Sequence, residues 1–295
     1  MRPLRGVTMF LAILLTAQAT SVGAGPVPSE VPSEVPACCR PADGRAGLVV
    51  AAAPPDEAPA RTEVDRVLDL VERQSAGLKS YRGRVSMENY DDLADESERR
   101  FGRVWLVAPA NGDASARQAA VVFDRIVESG GRVRERLEHW VYRDGVLSDY
   151  DHEAKRLVRR RIAEPGDRRD PLRLGEGPIP IPIGQRKADI VANFDATPAA
   201  SIPTRITKAS DGVVGVRLVP KATTPLAKDG DIDRIDYWIR SSDGEPVAVE
   251  MLEKDGDRIT IRFLESAFNE PVDDEGRRWL DAPDVDPESW RIEDR

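Results

Sequence analysis

The chain is poor in the residues on which most catalysis depends. Its 295 residues hold only two histidines and two cysteines. The cysteines are adjacent, Cys38-Cys39, and neighbouring residues rarely reach relaxed disulfide geometry, so they cannot staple a fold. His139 and His152 sit in no partner pattern: Gly-x-Ser-x-Gly and His-Glu-x-x-His are both missing, which removes the usual hydrolase and zinc-protease signatures. No Gly-x-x-x-x-Gly-Lys phosphate loop occurs either. Asp229-Gly230-Asp231-Ile232-Asp233 opens like a calcium loop, but Arg234 stands where that loop needs glycine and Arg240 where it needs a bidentate glutamate. Carboxylate pairs are plentiful, yet with 52 Asp and Glu residues their presence alone says nothing about glycoside chemistry. The expectation is a protein that is not an enzyme, with no catalytic residue, no metal and no cofactor, both histidines being structural. An enzyme using His139 or His152 is the rival reading.

Long apolar runs are scarce as well. The only one near the start, Met9 to Leu15, follows Arg2 and Arg5 and precedes small residues at Ala17, Ala19 and Ala24. This is the layout of an export signal. It is too short to span a bilayer stably, and no later segment approaches the ~20 apolar residues of a membrane helix. The expectation is a signal peptide over residues 1–24, cleaved after Ala19 or Ala24, and a soluble periplasmic protein; an uncleaved signal acting as an anchor is the alternative. ATP and NADH are not available in that compartment.

Charge of one sign predominates. The formal net charge is -9, and residues 265–295 carry eleven carboxylates against four arginines, so the tail repels nucleic acid and anionic lipid surfaces. Nucleic acid is not an expected partner. Arg156, Arg159, Arg160 and Arg161 crowd one segment; they read either as a solvated strand face or as a place that meets phosphate or carboxylate. From residue 25 to 60 the chain is rich in Pro and Ala and low in complexity, as in a flexible linker.

The folded part, expected over residues 61–283, opens with a helix. Thr62-Glu63-Val64-Asp65 resembles an N-cap, and Val64, Val67, Leu68, Val71 and Leu78 recur at helical spacing. Beyond Gly77 the period switches to two. Strands are expected over 82–89, 103–107, 119–128, 132–143, 155–162, 213–219, 232–240, 246–253 and 257–265, with turn chemistry at Gly130-Gly131, Ser242-Asp243-Gly244 and Asp255-Gly256. The last three strands place Ile235, Tyr237, Ile239, Val247, Val249, Met251, Ile259, Ile261 and Phe263 on one face, giving a sheet with one wet and one apolar face. Three alternating prolines between Gly177 and Gly184 forbid a regular helix or central strand there. That apolar segment suits a loop lying across the sheet, with a short helix following at 185–194.

Four motifs carry a resemblance. Gly102-Arg103-Val104-Trp105-Leu106-Val107-Ala108-Pro109, Asp144-Gly145 followed by Tyr150, Leu218-Val219-Pro220-Lys221, and Asp243-Gly244 occur in the order and spacing found in the LolA-type outer-membrane lipoprotein carriers, over Glu63 to about Pro283. Two positions depart from that pattern: Ala108 stands for the family's lid arginine, and Ser148 for an aromatic. The resemblance implies an α+β fold, mainly antiparallel β: a curved incomplete barrel of about nine to eleven strands with an N-terminal helix and a short helical, proline-rich lid, ahead of an acidic tail over 284–295. It implies a carrier of lipoprotein or other lipid acyl chains towards the outer membrane, monomeric, with a membrane-protein donor and acceptor. A lipid- or lipoprotein-sensing regulatory module of the same fold is the alternative. The lipid cavity would be walled by Val104, Leu106, Leu137, Leu218, Ile235, Tyr237, Ile239, Val249, Met251, Ile261 and Phe263, and the lid formed by Leu172, Leu174, Ile179, Ile181 and Ile183. Alternation alone does not separate a cavity wall from a filled core.

Overall fold

The computed structural model describes residues 57–109, 116–164, 174 and 183–295. The expected signal, residues 25–56 of the expected linker, and Leu172, Ile179 and Ile181 of the expected lid lie outside the described residues, while residues 57–60, expected as linker, are helical. Among those described, no helix is long and apolar enough to cross a membrane.

Helix α1 (Glu57–Ala76) precedes the first strand. It starts five residues before the expected cap at Thr62, because Pro59 falls in the first turn, where its missing N–H is not needed. Two runs of strands follow. The first is β1 (Ser80–Asp91), β2 (Glu96–Val107), β3 (Gln118–Glu128), β4 (Val133–Arg143), β5 (Val146–Asp151) and β6 (Arg156–Arg161). After the short α2 (Lys187–Asn193) come β7 (Phe194–Pro198), β8 (Val213–Pro220), α3 (Pro225–Asp229), β9 (Ile232–Arg240), β10 (Pro246–Glu253) and β11 (Arg258–Phe268). Helix α4 (Asp274–Leu280) and β12 (Arg291–Asp294) complete the chain.

All twelve strands form one curved sheet in the order β12-β6-β5-β4-β3-β2-β1-β11-β10-β9-β8-β7. Each run is a meander of neighbours, as short hairpins dictate. Asp144 and Gly145, both at positive φ (52° and 78°), make the tight turn between β4 and β5. The two meanders join where β1 pairs with β11, Tyr81 opposite Phe268 through Tyr90 opposite Arg258. The edges β7 and β12 are not partners, so the barrel stays open. The sheet has more strands than expected because residues 291–294, read from sequence as part of an acidic tail, pair in parallel with β6. Only one side of that strand is apolar, at Ile292, and so short a strand leaves no alternation to detect.

Irregular pairing lines up across the middle strands. The register shifts between Arg84 and Val85 against β11, between Phe101 and Gly102 against β3, and between Phe123 and Arg125 against β4. Gly102 lies opposite both Val85 and Phe123, so these bulges form one diagonal line, and bulges bend the strands that carry them. A Cβ on Gly102 would stand 1.9 Å from the Val122 carbonyl oxygen; only glycine permits that approach.

Both faces are covered. The inner face, defined as the one that packs on α1, carries the main core. On the outer face α4 packs on Trp105, Ala120 and Val122 through Leu280, Ile202 and Ile206 cover Trp238 and Ala248, and Val285, Trp290 and Ile292 cover Val141, Tyr150 and Leu157. The wet outer face expected for the last strands is therefore partly dry, because the connection between β7 and β8 folds back over it. Among the charges it retains, Arg217 grips Asp236 with two bonds of 2.7 and 2.8 Å, Arg205 reaches Glu250 at 2.5 Å, and Arg262 donates to the Ile206 carbonyl and the Ser86 hydroxyl.

Candidate functional site

The inner face divides into an apolar and a charged part. In the apolar part, Val104, Leu106, Leu218, Ile235, Tyr237, Ile239, Val249, Met251, Ile261 and Phe263 fall into one cluster. Ten of the eleven expected wall residues thus share one face. The eleventh, Leu137, is on the other side, packed with Trp105, Ala120 and Val122; in β4 the inner positions are even-numbered, with Trp140 and Tyr142 packing on the main cluster, so odd-numbered Leu137 points away.

This wall is filled rather than empty. Val64, Val67, Leu68, Leu70 and Val71 of α1 belong to the same cluster, and Val67 and Leu68 are at most 1% exposed. Both described lid residues, Leu174 and Ile183, are buried in it as well, and the Gln185 side chain accepts a bond from the Leu174 N–H at 3.0 Å. Burial holds the hydroxyls of Tyr81 and Tyr237 far above the ordinary tyrosine range. Helix α1 is fastened to α2 by Lys187, whose ammonium bonds Asp65 at 2.9 Å and Asp69 at 2.7 Å.

The charged part occupies the inner face towards the β12 edge, which sequence reasoning did not separate from surface. Buried Arg100 pairs with Glu98 at 2.5 Å and Glu138 at 3.3 Å, and Arg136 with Asp151 at 2.7 Å. Burial raises the Glu138 and Asp149 carboxyls against the pull of Arg100 on the first and Arg156 on the second. Of the four arginines at 156–161, Arg159 pairs with Asp294 on the outer side, while Arg160 is only 8% exposed, which corrects the reading of the whole segment as a solvated face. The signal that could have found it is the spacing of Arg156 and Arg160, which places them on one face of β6.

No protein-family model and no curated protein matches the chain. Among solved structures it is similar to an uncharacterized conserved protein from Thermus thermophilus, at 12% identity over 78% of this chain and 98% of that one, with a TM-score of 0.40. It is similar also to a putative outer membrane lipoprotein-sorting protein domain from Vibrio parahaemolyticus, at 12% identity over 74% and 99% of the two chains, TM-score 0.33. A LolA superfamily protein from Nitrosomonas europaea aligns at 8% identity over 71% and 95%, TM-score 0.30. The superfamily that the sequence resembles is therefore among the structural neighbours.

The histidines lie on the outer face. His139 is fully buried, bonded through Nε2 to the Trp279 carbonyl oxygen at 2.8 Å, and flanked by the rings of Tyr150 at 5.2 Å and Trp279 at 4.8 Å. Burial pushes its pKa down to about 4, so at neutral pH it is an uncharged donor pinning α4 to the sheet. An open groove of about 670 Å³ on the outer side follows the bulges, lined by Arg84, Phe101, Arg103, Asp124, Arg125, Glu135 and Leu264 among others.

At the β10–β11 hairpin, Glu253, Asp255 and Asp257 bring carboxylate oxygens within 4.8 Å of one another; they are the metal-type ligands grouped among the described residues, and Lys254 turns away to the carbonyls of Ala227 and Gly230. Burial first, then Asp255, Asp257 and Asp231, push the Glu253 carboxyl up to about 7. A raised folded-state pKa contributes stability that is complete at acid pH and is lost as pH rises through 7. Glu253→Gln is therefore expected to melt higher than the parent at pH 8, by about 2–4 °C once the group's partial exposure is discounted, with the gap closing below pH 4.5. Thermal melts at the two pH values check this, and an equal gap at both would reject it.

Proposed function

We propose that the chain is a periplasmic carrier that takes up an acyl chain of a lipoprotein or other lipid on its inner face, with α1 as the displaceable occupant of that site. One observation carries the reading: the apolar wall of an open sheet shares its cluster with a single long helix that packs chiefly on β7, β8 and α2, and whose described ion pairs to the rest of the fold are Lys187 with Asp65 and Asp69.

The energies are commensurate. Exposing a sixteen-carbon chain to water costs on the order of 12 kcal/mol, at ~0.8 kcal/mol per methylene. Five α1 side chains buried at roughly 1.5–3 kcal/mol each contribute about 7–15 kcal/mol. Exchanging helix for lipid is thus close to balanced, as reversible loading requires, and the surface ion pairs of Lys187 add little to either side.

Locking α1 tests this. A Cβ on Gly244 would lie 3.3 Å from Leu70 Cβ, near the ~3.5–4.5 Å of a disulfide; its φ of 77° strains a side chain there, so the reduced double-cysteine protein is first melted beside the parent to establish that it folds. In a background with Cys38 and Cys39 changed to Ser, Leu70→Cys with Gly244→Cys is expected to abolish binding of a fluorescent palmitate analogue when oxidised and to regain it in reductant. The same protein serves as its own folding control. Equal binding in both redox states would reject the proposal.

A further inference from the structure

Where the apolar part of the inner face ends, the Arg160 guanidinium is bonded by no carboxylate among the described residues. Arg160 lies opposite Leu147 of the main cluster and is only 8% exposed. Its Nε and Nη2 atoms are buried with no hydrogen-bond acceptor. Neighbouring cations find partners: Arg136 holds Asp151, and Arg295 holds Glu293 at 2.6 Å. Glu293 is shared with Arg291 at 3.0 Å, and the Asp149 carboxylate receives a bond from Trp140. Burial, then Arg295 and Arg156, bring the guanidinium of Arg160 down to about 10 against the pull of Asp149 and Glu293, neither of which bonds it, so it stays charged at neutral pH. Arg156 and Arg295, beside it, are exposed.

A buried guanidinium that no carboxylate contacts is costly and persists in a fold only when something compensates it. A planar guanidinium with two free N–H groups suits bidentate pairing with a phosphate or carboxylate. We propose that Arg160, flanked by Arg156 and Arg295, binds the anionic head group of an amphiphile whose alkyl chain runs from Leu147 and Trp140 into the apolar cluster. This rests on the carrier reading for the chain, while the head-group contact stands on Arg160 itself. The same chemistry is offered by free phosphate and by a lipid phosphate, and the measurement separates them.

Binding of dodecyl phosphate, dodecanol and inorganic phosphate to the full chain and to Arg160→Met, followed by calorimetry, provides the test. The parent is expected to bind dodecyl phosphate at least about tenfold more tightly than dodecanol, as a charge-assisted pair implies. Arg160→Met should lose that preference and keep its dodecanol affinity. It should also melt higher than the parent, because an uncompensated buried charge has been removed. Equal dodecyl phosphate binding by parent and variant overturns the proposal and leaves the carrier reading standing. Arg160-dependent binding of inorganic phosphate without binding of either alkyl ligand keeps the anion site and rejects the carrier. A variant that melts lower than the parent while the parent prefers no phosphate shows Arg160 to be an ordinary structural residue, and overturns the proposal.

Discussion

Replacing Gly102 by valine is expected to lower the melting temperature by about 6–12 °C, or to prevent folding outright. The Cβ of any other residue would sit 1.9 Å from the Val122 carbonyl oxygen and 2.9 Å from the Phe123 Cα. Both obstacles are backbone, which cannot rotate aside as a side chain can. Forcing extra atoms into such a site costs about 3 kcal/mol at the upper end of overpacking effects, and a domain of this size loses roughly 2–4 °C per kcal/mol. Gly77→Ala is the matched control, since nothing lies within 4 Å of a Cβ there. Circular dichroism melts of the two variants check the prediction. If the valine variant melts as the parent does, β2 and β3 do not approach as closely at the bulge as described.

Trimming α1 should move stability and binding in opposite directions. Leu68 is 1% exposed and belongs to the cluster that includes the wall. Leu68→Ala removes buried methyl groups and weakens helix docking by about 2–5 kcal/mol. Where a helix and a ligand compete for one surface, apparent affinity is scaled by the fraction of molecules in which the surface is free. A docking loss of about 3 kcal/mol then raises apparent affinity about 100-fold. Titration of the fluorescent palmitate analogue, alongside a thermal melt, gives both numbers. A lower melting temperature with unchanged affinity would mean that α1 is a permanent part of the core.

Much of the fold was legible because most strands are long enough to repeat a period. Ile235, Tyr237 and Ile239, then Val249 and Met251, then Ile259, Ile261 and Phe263 alternate, and the structure puts all eight in one cluster; Val247, expected on the same face, packs instead with Trp238 and Ala248 on the outer side, because the register shifts between Pro246 and Ala248. Alternation identifies a face, not what lies on it, so it did not reveal that α1 occupies the inner one. Leu137 was misplaced for a related reason. Its strand carries Leu137, His139 and Val141 on one side and Glu138, Trp140 and Tyr142 on the other, so both sides contain apolar residues, and only the partners across the sheet decide which is inner. The spacing of Arg156 and Arg160 marks a shared face of β6 but not the burial of Arg160, since Arg156 on the same face is exposed. The neighbours of Arg160 in space, Leu147, Asp149, Glu293 and Arg295, are brought to it by strand pairing across β5 and β12, and no local window contains them.

The junction of the two meanders also sets the order in which this sheet can assemble. Residues 80–161 can zip into β1 to β6 by local hairpins, and residues 194–268 into β7 to β11. Tyr81 must nevertheless wait for Phe268, a separation that makes closure slow compared with any hairpin. Until then each half presents a complete row of unpaired main-chain donors and acceptors, along β1 in one and β11 in the other. Such rows are templates for pairing with a foreign strand. During synthesis β1 is exposed for as long as the chain takes to reach residue 268, so the middle of the finished sheet is, for a growing chain, its most vulnerable margin.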